Sequence, residues 1–158
     1  MPLVAIALGS NLGDRGAHLR WALNQLRPLL ATIRVSAFIE TDPVDVPDEQ
    51  PNYLNAVVVG ETTLSPQLVL RELLRIERAR GRERKTLLAP RTLDLDLILH
   101  GSAIMDTPTL TVPHARFRDR MFVLGPLAEI APEMIDPVTG KTVGELLKKL
   151  EVRSSEFE

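Results

Sequence analysis

The segment TLDLDLIL, from Thr92 to Leu99, is the clearest strand signal in the chain, and the rest of the fold can be worked out from it. Leucine recurs at every second position, and Asp94 and Asp96 lie between the leucines. Side chains two residues apart in a strand point to the same side of the sheet. We therefore expect the two aspartates to project together from the face opposite Leu93, Leu95, Leu97 and Leu99, which need a hydrophobic core.

Hydrophobic patterns predict the elements that precede this strand. Residues 3–8 form an apolar run that ends at Gly9, which is typical of a buried strand followed by a turn. A helix follows, whose apolar face consists of Leu19, Ala22, Leu23 and Leu26. Residues 32–40 and 53–62 are rich in β-branched side chains and predict two more strands.

A second helix is expected to begin at Ser65-Pro66, because serine caps helix N-termini and proline suits the first turn. It should run to about Ala79, and Gly81 is placed to end it. Its apolar side is predicted to comprise Leu68, Leu70, Leu73, Leu74 and Ile76.

The resulting order of strand, helix, strand, strand, helix, strand is the ferredoxin-like arrangement. It predicts an α+β fold, a mostly antiparallel sheet with these helices packed on one face. Two further helices are expected at about residues 119–131 and 143–150. A chain of 158 residues suits one hydrophobic core, so we expect residues 1–158 to form a single domain. Many activities occur on this fold, so function has to be argued from particular side chains.

Composition narrows the class of protein. The formal net charge is -2, which gives no general attraction to nucleic acid or to an anionic membrane. The chain has no cysteine, no recognisable signal peptide and no apolar run of the roughly 20 residues that span a bilayer. Aromatic residues make up 4% of the chain, too few for the base-stacking sheets that bind RNA. We expect a cytoplasmic monomer with no membrane and no nucleic-acid partner.

Asp94 and Asp96 admit two interpretations. An acidic pair on a strand can be a solvated surface. It can also be a site for a hard divalent cation, which relieves the repulsion between two close carboxylates. Basic residues precede the strand at Arg82, Arg84 and Arg91. They lie beyond Gly81, where a solvated helix face no longer explains them, and arginine binds phosphate in a bidentate manner. This combination favours a metal–nucleotide site.

Several other residues are candidates for binding a flat heterocycle or a phosphate. Tyr53 and Asn55 lie on the same side of their strand, where a ring could stack and an amide could bind ring edges. Both could equally be a rim tyrosine and a capping amide, and Phe122 could be a core residue. His114 follows an extended segment and could donate to a phosphate. The proline-rich loop from Thr41 to Asn52 is long for a compact domain, and such loops are often functional.

Several segments, in this order, resemble one family, the 6-hydroxymethyl-7,8-dihydropterin pyrophosphokinases of the folate pathway. The resemblance covers nearly the whole chain, and the segment PRTLDLD from Pro90 to Asp96 is its most specific part. The other segments are ALGSNLG (7–13), ETDPV (40–44), PNYLNAV (51–57), IE (76–77) with GRER (81–84), and VPH (112–114) with RMFVL (120–124). Many members carry a tryptophan where this chain has Leu88-Ala89.

The resemblance implies a role for each matching residue. It implies that Asp94 and Asp96 hold two Mg²⁺ ions that bridge the phosphates of ATP, the co-substrate. Arg82 and Arg91 would lie in a loop that closes over those phosphates. The pterin would be stacked by Tyr53 and Phe122, with Asn55 and Thr41 at its edges and Pro43 and Val44 alongside. The ATP site would be lined by Glu77, Arg84, Ile98, Thr111, His114 and Arg120.

The implied reaction is attack of the pterin hydroxymethyl oxygen on the β-phosphorus of ATP, with AMP leaving. Metal ions and arginines supply the positioning and charge stabilisation that such transfers need. Two other classes of protein compete with this hypothesis. A metal-dependent phosphohydrolase would share the aspartates and arginines but need no pterin. A non-catalytic nucleotide- or RNA-binding module would tolerate replacement of Asp94.

Overall fold

The computed structural model describes residues 1–41, 52–81 and 92–156. Within these residues the principal strands are β1 (Leu3–Ser10), β2 (Ala31–Val35), β3 (Ile39–Thr41), β4 (Tyr53–Glu61) and β5 (Asp94–His100). A short hairpin follows, β6 (Met105–Asp106) and β7 (Thr111–Val112). The helices are α1 (Arg15–Leu26), α2 (Pro66–Ala79), α3 (Met121–Ile130) and α4 (Val143–Glu156), with single 3₁₀ turns at Arg27–Leu29 and Phe117–Asp119.

The main sheet has the strand order β2-β4-β1-β5, and β3 also pairs with β4. Every pairing in it is antiparallel. The first and last strands of the ferredoxin-like unit, β1 and β5, are therefore neighbours, with β4 on the other side of β1. The predicted ferredoxin-like α+β fold is confirmed.

The strand predicted at residues 32–40 is two strands, β2 and β3. Val35 pairs with Val58, whereas Ile39 pairs with Asn55, so one extra residue lies on the β2–β3 side. The buried Ser36 lies in this bulge. Its Oγ accepts the backbone N–H of Val57 at 2.9 Å, and its own N–H donates to the Val57 carbonyl. Both backbone polar groups of Val57 therefore keep a hydrogen-bond partner where β2 and β3 separate.

Helices α1 and α2 cover one face of the sheet, as predicted. All four apolar residues predicted for α1 are buried, and Asp14 caps that helix by accepting the Ala17 N–H. On α2, Leu73 and Ile76 are buried as expected, but Leu68 and Leu74 are exposed and their places in the core are taken by Val69 and Glu77. Glu77, a charged residue, is therefore part of the interior.

Caps at both ends of α2 agree with the sequence. Ser65 Oγ accepts the Leu68 N–H at 3.2 Å, and Pro66 begins the helix. Gly81 follows the helix with φ of +83°, a conformation that side chains with a Cβ disfavour. Helix α2 therefore ends at Ala79, two residues before this glycine.

Helices α3 and α4 pack on the opposite face and build a second core. Phe117, Leu124 and Leu127 are fully buried there against Val57 and Val59 of β4. The segment before α4 is held by Asp136, whose buried carboxylate receives two hydrogen bonds from Arg118, at 2.6 and 2.8 Å. The sheet is therefore covered on both faces, although only the α1–α2 side follows from the ferredoxin-like order.

The alternation in β5 holds for three leucines and fails for the fourth. Leu93, Leu95 and Leu97 pack in the core under α1 and α2. Leu99 packs instead with Ile98 in the core under α3 and α4. The β1–β5 register shifts between Ala5 and Ile6, because Leu97 pairs with Ile6 while Leu99 pairs with Ala5. This bulge reverses the side to which later residues point, so the expectation that four leucines share a face was wrong at Leu99.

Across residues 1–41, 52–81 and 92–156, no helix combines the length and the apolar character that crossing a bilayer requires.

Candidate active site

A cavity of about 530 Å³ opens on the face of the sheet that carries α3, beyond the N-terminus of that helix. The residues that line it come from β1, from the β3–β4 hairpin, from β5 and from the segment 114–123. They are Ala7, Leu8, Gly9, Thr41, Tyr53, Asn55, Ala56, Asp94, Asp96, Ile98, His114, Arg116, Asp119, Arg120, Met121, Phe122 and Val123. Nine of these residues were predicted for the site from the sequence: Thr41, Tyr53, Asn55, Asp94, Asp96, Ile98, His114, Arg120 and Phe122. Arg116 and Arg120 contribute positive charge to the wall.

The two aspartates enter this cavity together from β5. Asp94 pairs with Gly9 and Asp96 with Ala7 of β1, and both side chains are half-buried. Among the described residues no group of three or more His, Cys, Asp or Glu side chains is placed to hold a metal ion. Two carboxylates beside a cavity fit Mg²⁺, which commonly takes one or two protein carboxylates and completes its shell with water and substrate phosphates.

The β3–β4 hairpin supplies a polar edge to the same cavity. Asn55 Nδ2 donates to Thr41 Oγ1 at 2.6 Å, so the two side chains predicted for the pterin edges are in direct contact. Asn55 is buried and Tyr53 is half-buried beside it. The bond leaves the Asn55 carbonyl oxygen to accept from other donors, which suits recognition of an N–H on a ring.

Gly9 makes room for that edge. A Cβ at position 9 would lie 3.2 Å from Asn55 Oδ1 and 3.6 Å from Tyr53 Cδ1. The sequence predicts a turn from Gly9, but residues 9 and 10 are the last two of β1. The glycine therefore has a role in the shape of the cavity that the sequence interpretation missed.

Arg120 and Phe122 approach the cavity at the start of α3. The guanidinium carbon of Arg120 lies 5.6 Å from the centroid of the Phe122 ring, within cation–π range. Phe122 is half-buried and also packs against the second core. Phe122 therefore both packs on the core and lines the cavity.

His114 is fixed by two backbone hydrogen bonds. Its N–H donates to the Ile98 carbonyl at 2.9 Å, and its Nδ1 accepts the Arg116 N–H at 3.1 Å. Burial and the nearby Arg120 lower the pKa of His114, with Arg116 adding to the effect and Asp94 opposing it. Because Nδ1 is an acceptor, the neutral ring carries its proton on Nε2, which can donate a hydrogen bond to a ligand.

A smaller cavity of about 240 Å³ adjoins the first. Its walls are Leu70, Leu95, Asp96, Leu97, Thr109, Leu110, Thr111, His114 and Ala115. Asp96 and His114 line both cavities. Thr111 and His114, two residues predicted for the ATP site, thus line the smaller cavity, whereas Ile98 and Arg120 line the larger one.

Glu77, also predicted for the ATP site, lines neither cavity. Its side chain is buried, and Oε2 accepts the backbone N–H of Leu95 at 2.7 Å. Leu95 lies between Asp94 and Asp96, so this carboxylate fixes the strand that presents them. Arg82, Arg84 and Arg91, together with Pro43 and Val44, lie outside the described residues.

Arg116, Asp119 and Met121 also line the larger cavity, and the sequence interpretation gave them no role in the site. The concentration of charge from Arg116 to Arg120 was visible in the sequence. Only the 3₁₀ turn Phe117–Asp119, with Phe117 buried beneath it, shows which of these side chains reach the cavity.

Comparison with known proteins points to the same family as the sequence motifs. A family model described as 7,8-dihydro-6-hydroxymethylpterin-pyrophosphokinase matches residues 5–132. The chain is 42% identical over 146 residues to the 2-amino-4-hydroxy-6-hydroxymethyldihydropteridine pyrophosphokinase of Haemophilus influenzae, and the match covers 91% of this chain and 90% of that protein. Identity to the Bacillus subtilis enzyme of the same name is 44% over 131 residues, covering 82% of this chain and 78% of that one.

Other similar proteins are longer. Folic acid synthesis protein fol1 of Schizosaccharomyces pombe is 36% identical over 147 residues, which cover 92% of this chain and 20% of fol1. The crystal structure of wild-type Plasmodium falciparum HPPK-DHPS superposes with a TM-score of 0.74 at 16% identity, covering 98% of this chain and 46% of that chain. The chain therefore spans about a fifth of fol1 and less than half of the Plasmodium protein.

Proposed function

Because this chain belongs to the 7,8-dihydro-6-hydroxymethylpterin-pyrophosphokinase family, we propose that it transfers a pyrophosphoryl group from ATP to 6-hydroxymethyl-7,8-dihydropterin. The hydroxymethyl oxygen loses its proton to water and forms a bond to the β-phosphorus, the bond from that phosphorus to the oxygen bridging to the α-phosphate breaks, and AMP leaves. The family and the enzyme class predicted from the sequence, a diphosphotransferase of folate biosynthesis, are confirmed.

The observation that carries the proposal is that two adjacent cavities share Asp96 and His114. A transfer between two substrates needs them side by side, with the reacting atoms at the junction. The larger cavity has a polar edge at Thr41 and Asn55 and aromatic walls, which suit a pterin. The smaller cavity, with Thr111 and apolar walls, suits the nucleotide.

Asp94 and Asp96 would hold two magnesium ions at this junction. When bound, the ions supply positive charge to the phosphate oxygens, and that charge stabilises the transition state of the transfer. The carboxylates are prepared for this role by β5, which presents both on one face, and by Glu77, which holds the Leu95 N–H between them.

The remaining residues bind and orient the two substrates. Asn55 and Thr41 would receive the pterin edge, and Tyr53 and Phe122 would contact its ring faces. His114 would donate from Nε2 to a phosphate oxygen, and Arg120 would add positive charge. Orientation of this kind converts a reaction between two molecules into one within a complex, which is where most of the acceleration of such transfers arises.

Arg82, Arg84 and Arg91 are proposed to contact the phosphates, and Pro43 and Val44 the pterin, on the resemblance alone, since these residues lie outside the described ones. The expectations of a single domain, a monomer, a cytoplasmic location and no nucleic-acid partner also stay predictions.

The test is a product assay with purified chain, ATP, magnesium and the hydroxymethyl dihydropterin. We expect AMP and pterin pyrophosphate in equal amounts, and no AMP when the pterin is omitted. Phosphate release without the pterin would support a phosphohydrolase instead. No turnover of ATP under any of these conditions, with both ligands bound, would contradict the proposed enzyme.

A further inference from the structure

We propose that Arg15 is a positioning residue for the pterin-binding edge, acting through Thr41 and Tyr53 without contacting substrate. The inference rests on the proposed function, because it assumes that the Thr41–Asn55 edge and Tyr53 bind the pterin. Arg15 itself lines neither cavity. It is the first residue of α1, on an element that contributes no residue to either cavity.

The guanidinium of Arg15 joins two chain segments. Its Nη1 donates to the carbonyl of Asn52 at 2.8 Å, and its Nη2 forms an ion pair with Glu40 Oε1. Asn52 directly precedes Tyr53, and Glu40 directly precedes Thr41. Arginine is suited to this task because its donors are held in one planar fork, so two acceptors bound to it are held relative to each other.

The Arg15 contact lies at the end of the β3–β4 ladder where Thr41 and Tyr53 pair. Strand β3 has three residues, so few backbone hydrogen bonds hold it against β4. Arg15 ties the two strands together at that end, and Thr41 Oγ1 in turn receives the Asn55 side chain at 2.6 Å.

An ordinary surface ion pair is the alternative interpretation. The Arg15 side chain is 27% exposed and that of Glu40 is 54% exposed, and pairs in such places contribute little to global stability. The same chain offers a matched comparison, since Arg34 donates to the Ile130 carbonyl at 2.8 Å and pairs with Glu133 at 2.9 Å. That arrangement also joins a carbonyl and a carboxylate, but it lies away from both cavities.

The experiment compares Arg15→Met with Arg34→Met in the full chain. Steady-state kinetics would give KM for the pterin, KM for ATP and kcat, and thermal unfolding would give Tm. We expect Arg15→Met to raise the pterin KM about tenfold while the ATP KM changes less than twofold. Arg34→Met should leave both KM values within about twofold, and both variants should lower Tm by a similar small amount. Glu40→Gln should raise the pterin KM in the same direction by less.

Tyr53 provides a readout independent of turnover, because it is the sole tyrosine in the sequence. In protein labelled with ¹³C-tyrosine, the ring signals should shift in free Arg15→Met but not in free Arg34→Met. Unchanged ring signals together with an unchanged pterin KM would overturn the inference while the proposed function stands. An equal loss for both substrates would overturn it too. If wild-type chain makes no AMP from ATP and pterin, the proposed function itself fails.

Discussion

The carboxylate of Glu77 on α2 accepts the backbone N–H of Leu95 on β5 at 2.7 Å, between the two aspartates of the site. A buried acid thus fixes the strand that carries the proposed metal ligands. Replacing it tests whether this support matters for turnover.

We expect Glu77→Leu to lower both the free energy of unfolding and kcat. Leaving the buried Leu95 N–H without this acceptor costs about 1–3 kcal/mol. Glu77→Gln is the matched control, because its amide oxygen can still accept that bond. Urea unfolding and the AMP assay would measure both effects, and a Leu variant as stable and active as the Gln variant would contradict the supporting role.

Asp94→Asn and Asp96→Asn should each reduce kcat by at least about 100-fold, the scale of losing one preorganised charge-stabilising group. Stability should change little, because neither side chain belongs to the leucine core of β5. Glu151→Gln, an exposed change on α4, controls for loss of a negative charge. Turnover close to that of the wild type at saturating magnesium would refute the metal assignment.

Gly9→Ala should raise the pterin KM by about tenfold, equivalent to about 1.4 kcal/mol. The added Cβ would press on Asn55 Oδ1, 3.2 Å away, and displace the polar edge. Gly144→Ala is the control, since a Cβ there meets its nearest neighbour at 3.4 Å, far from the cavities. Equal pterin KM values for the two variants would show that Asn55 tolerates the methyl group.

Stability should fall as the pH drops below about 6.5, the value for histidine in an unfolded chain. Partial burial and the charge of Arg80 lower the pKa of His18. The charge of Asp14 and a hydrogen bond to the Leu12 backbone raise it, but by less. His18 Nδ1 accepts a hydrogen bond from the Arg80 Nε–H at 2.9 Å, and the Arg80 guanidinium lies 4.9 Å from the Trp21 ring centroid. The folded chain therefore favours neutral His18, so this contribution is complete above pH 6.5 and is lost as the pH falls through the lowered pKa.

Urea unfolding at pH 7.5 and pH 5.5 would measure this loss. His114 shifts in the same direction, so the wild-type slope combines both residues. His18→Gln removes one titration but keeps an acceptor for Arg80, and we expect a smaller drop in stability between the two pH values. The same drop in both proteins would contradict the role given to His18.

Periodicity predicted much of this architecture because most elements bury one regular face. The leucines at positions 93, 95 and 97 face one core, and Asp94 and Asp96 face the cavity, as a period of two requires. Leu99 departs from that pattern because Ile98 is an extra residue of β5 opposite the Ala5–Ile6 step of β1, and the regular alternation of β5 gives no sign of this bulge.

The site was predictable where side chains have a distinctive chemistry and not where they act through shape or burial. Tyr53, Asn55 and His114 all reach the cavities. Glutamate is a residue type common on helix surfaces. Only the tertiary structure shows that Glu77 is buried and accepts a backbone N–H 18 positions away. The role of Gly9 depends on the distance between two strands, which no pattern within β1 encodes.

Strand β5 is the last in the order of the main sheet, a position where an open backbone edge invites pairing with another chain. The hydrogen bond from the His114 N–H to the Ile98 carbonyl occupies part of that edge. The segment that delivers His114 to the cavities therefore also shields a leucine-rich strand from edge-to-edge aggregation.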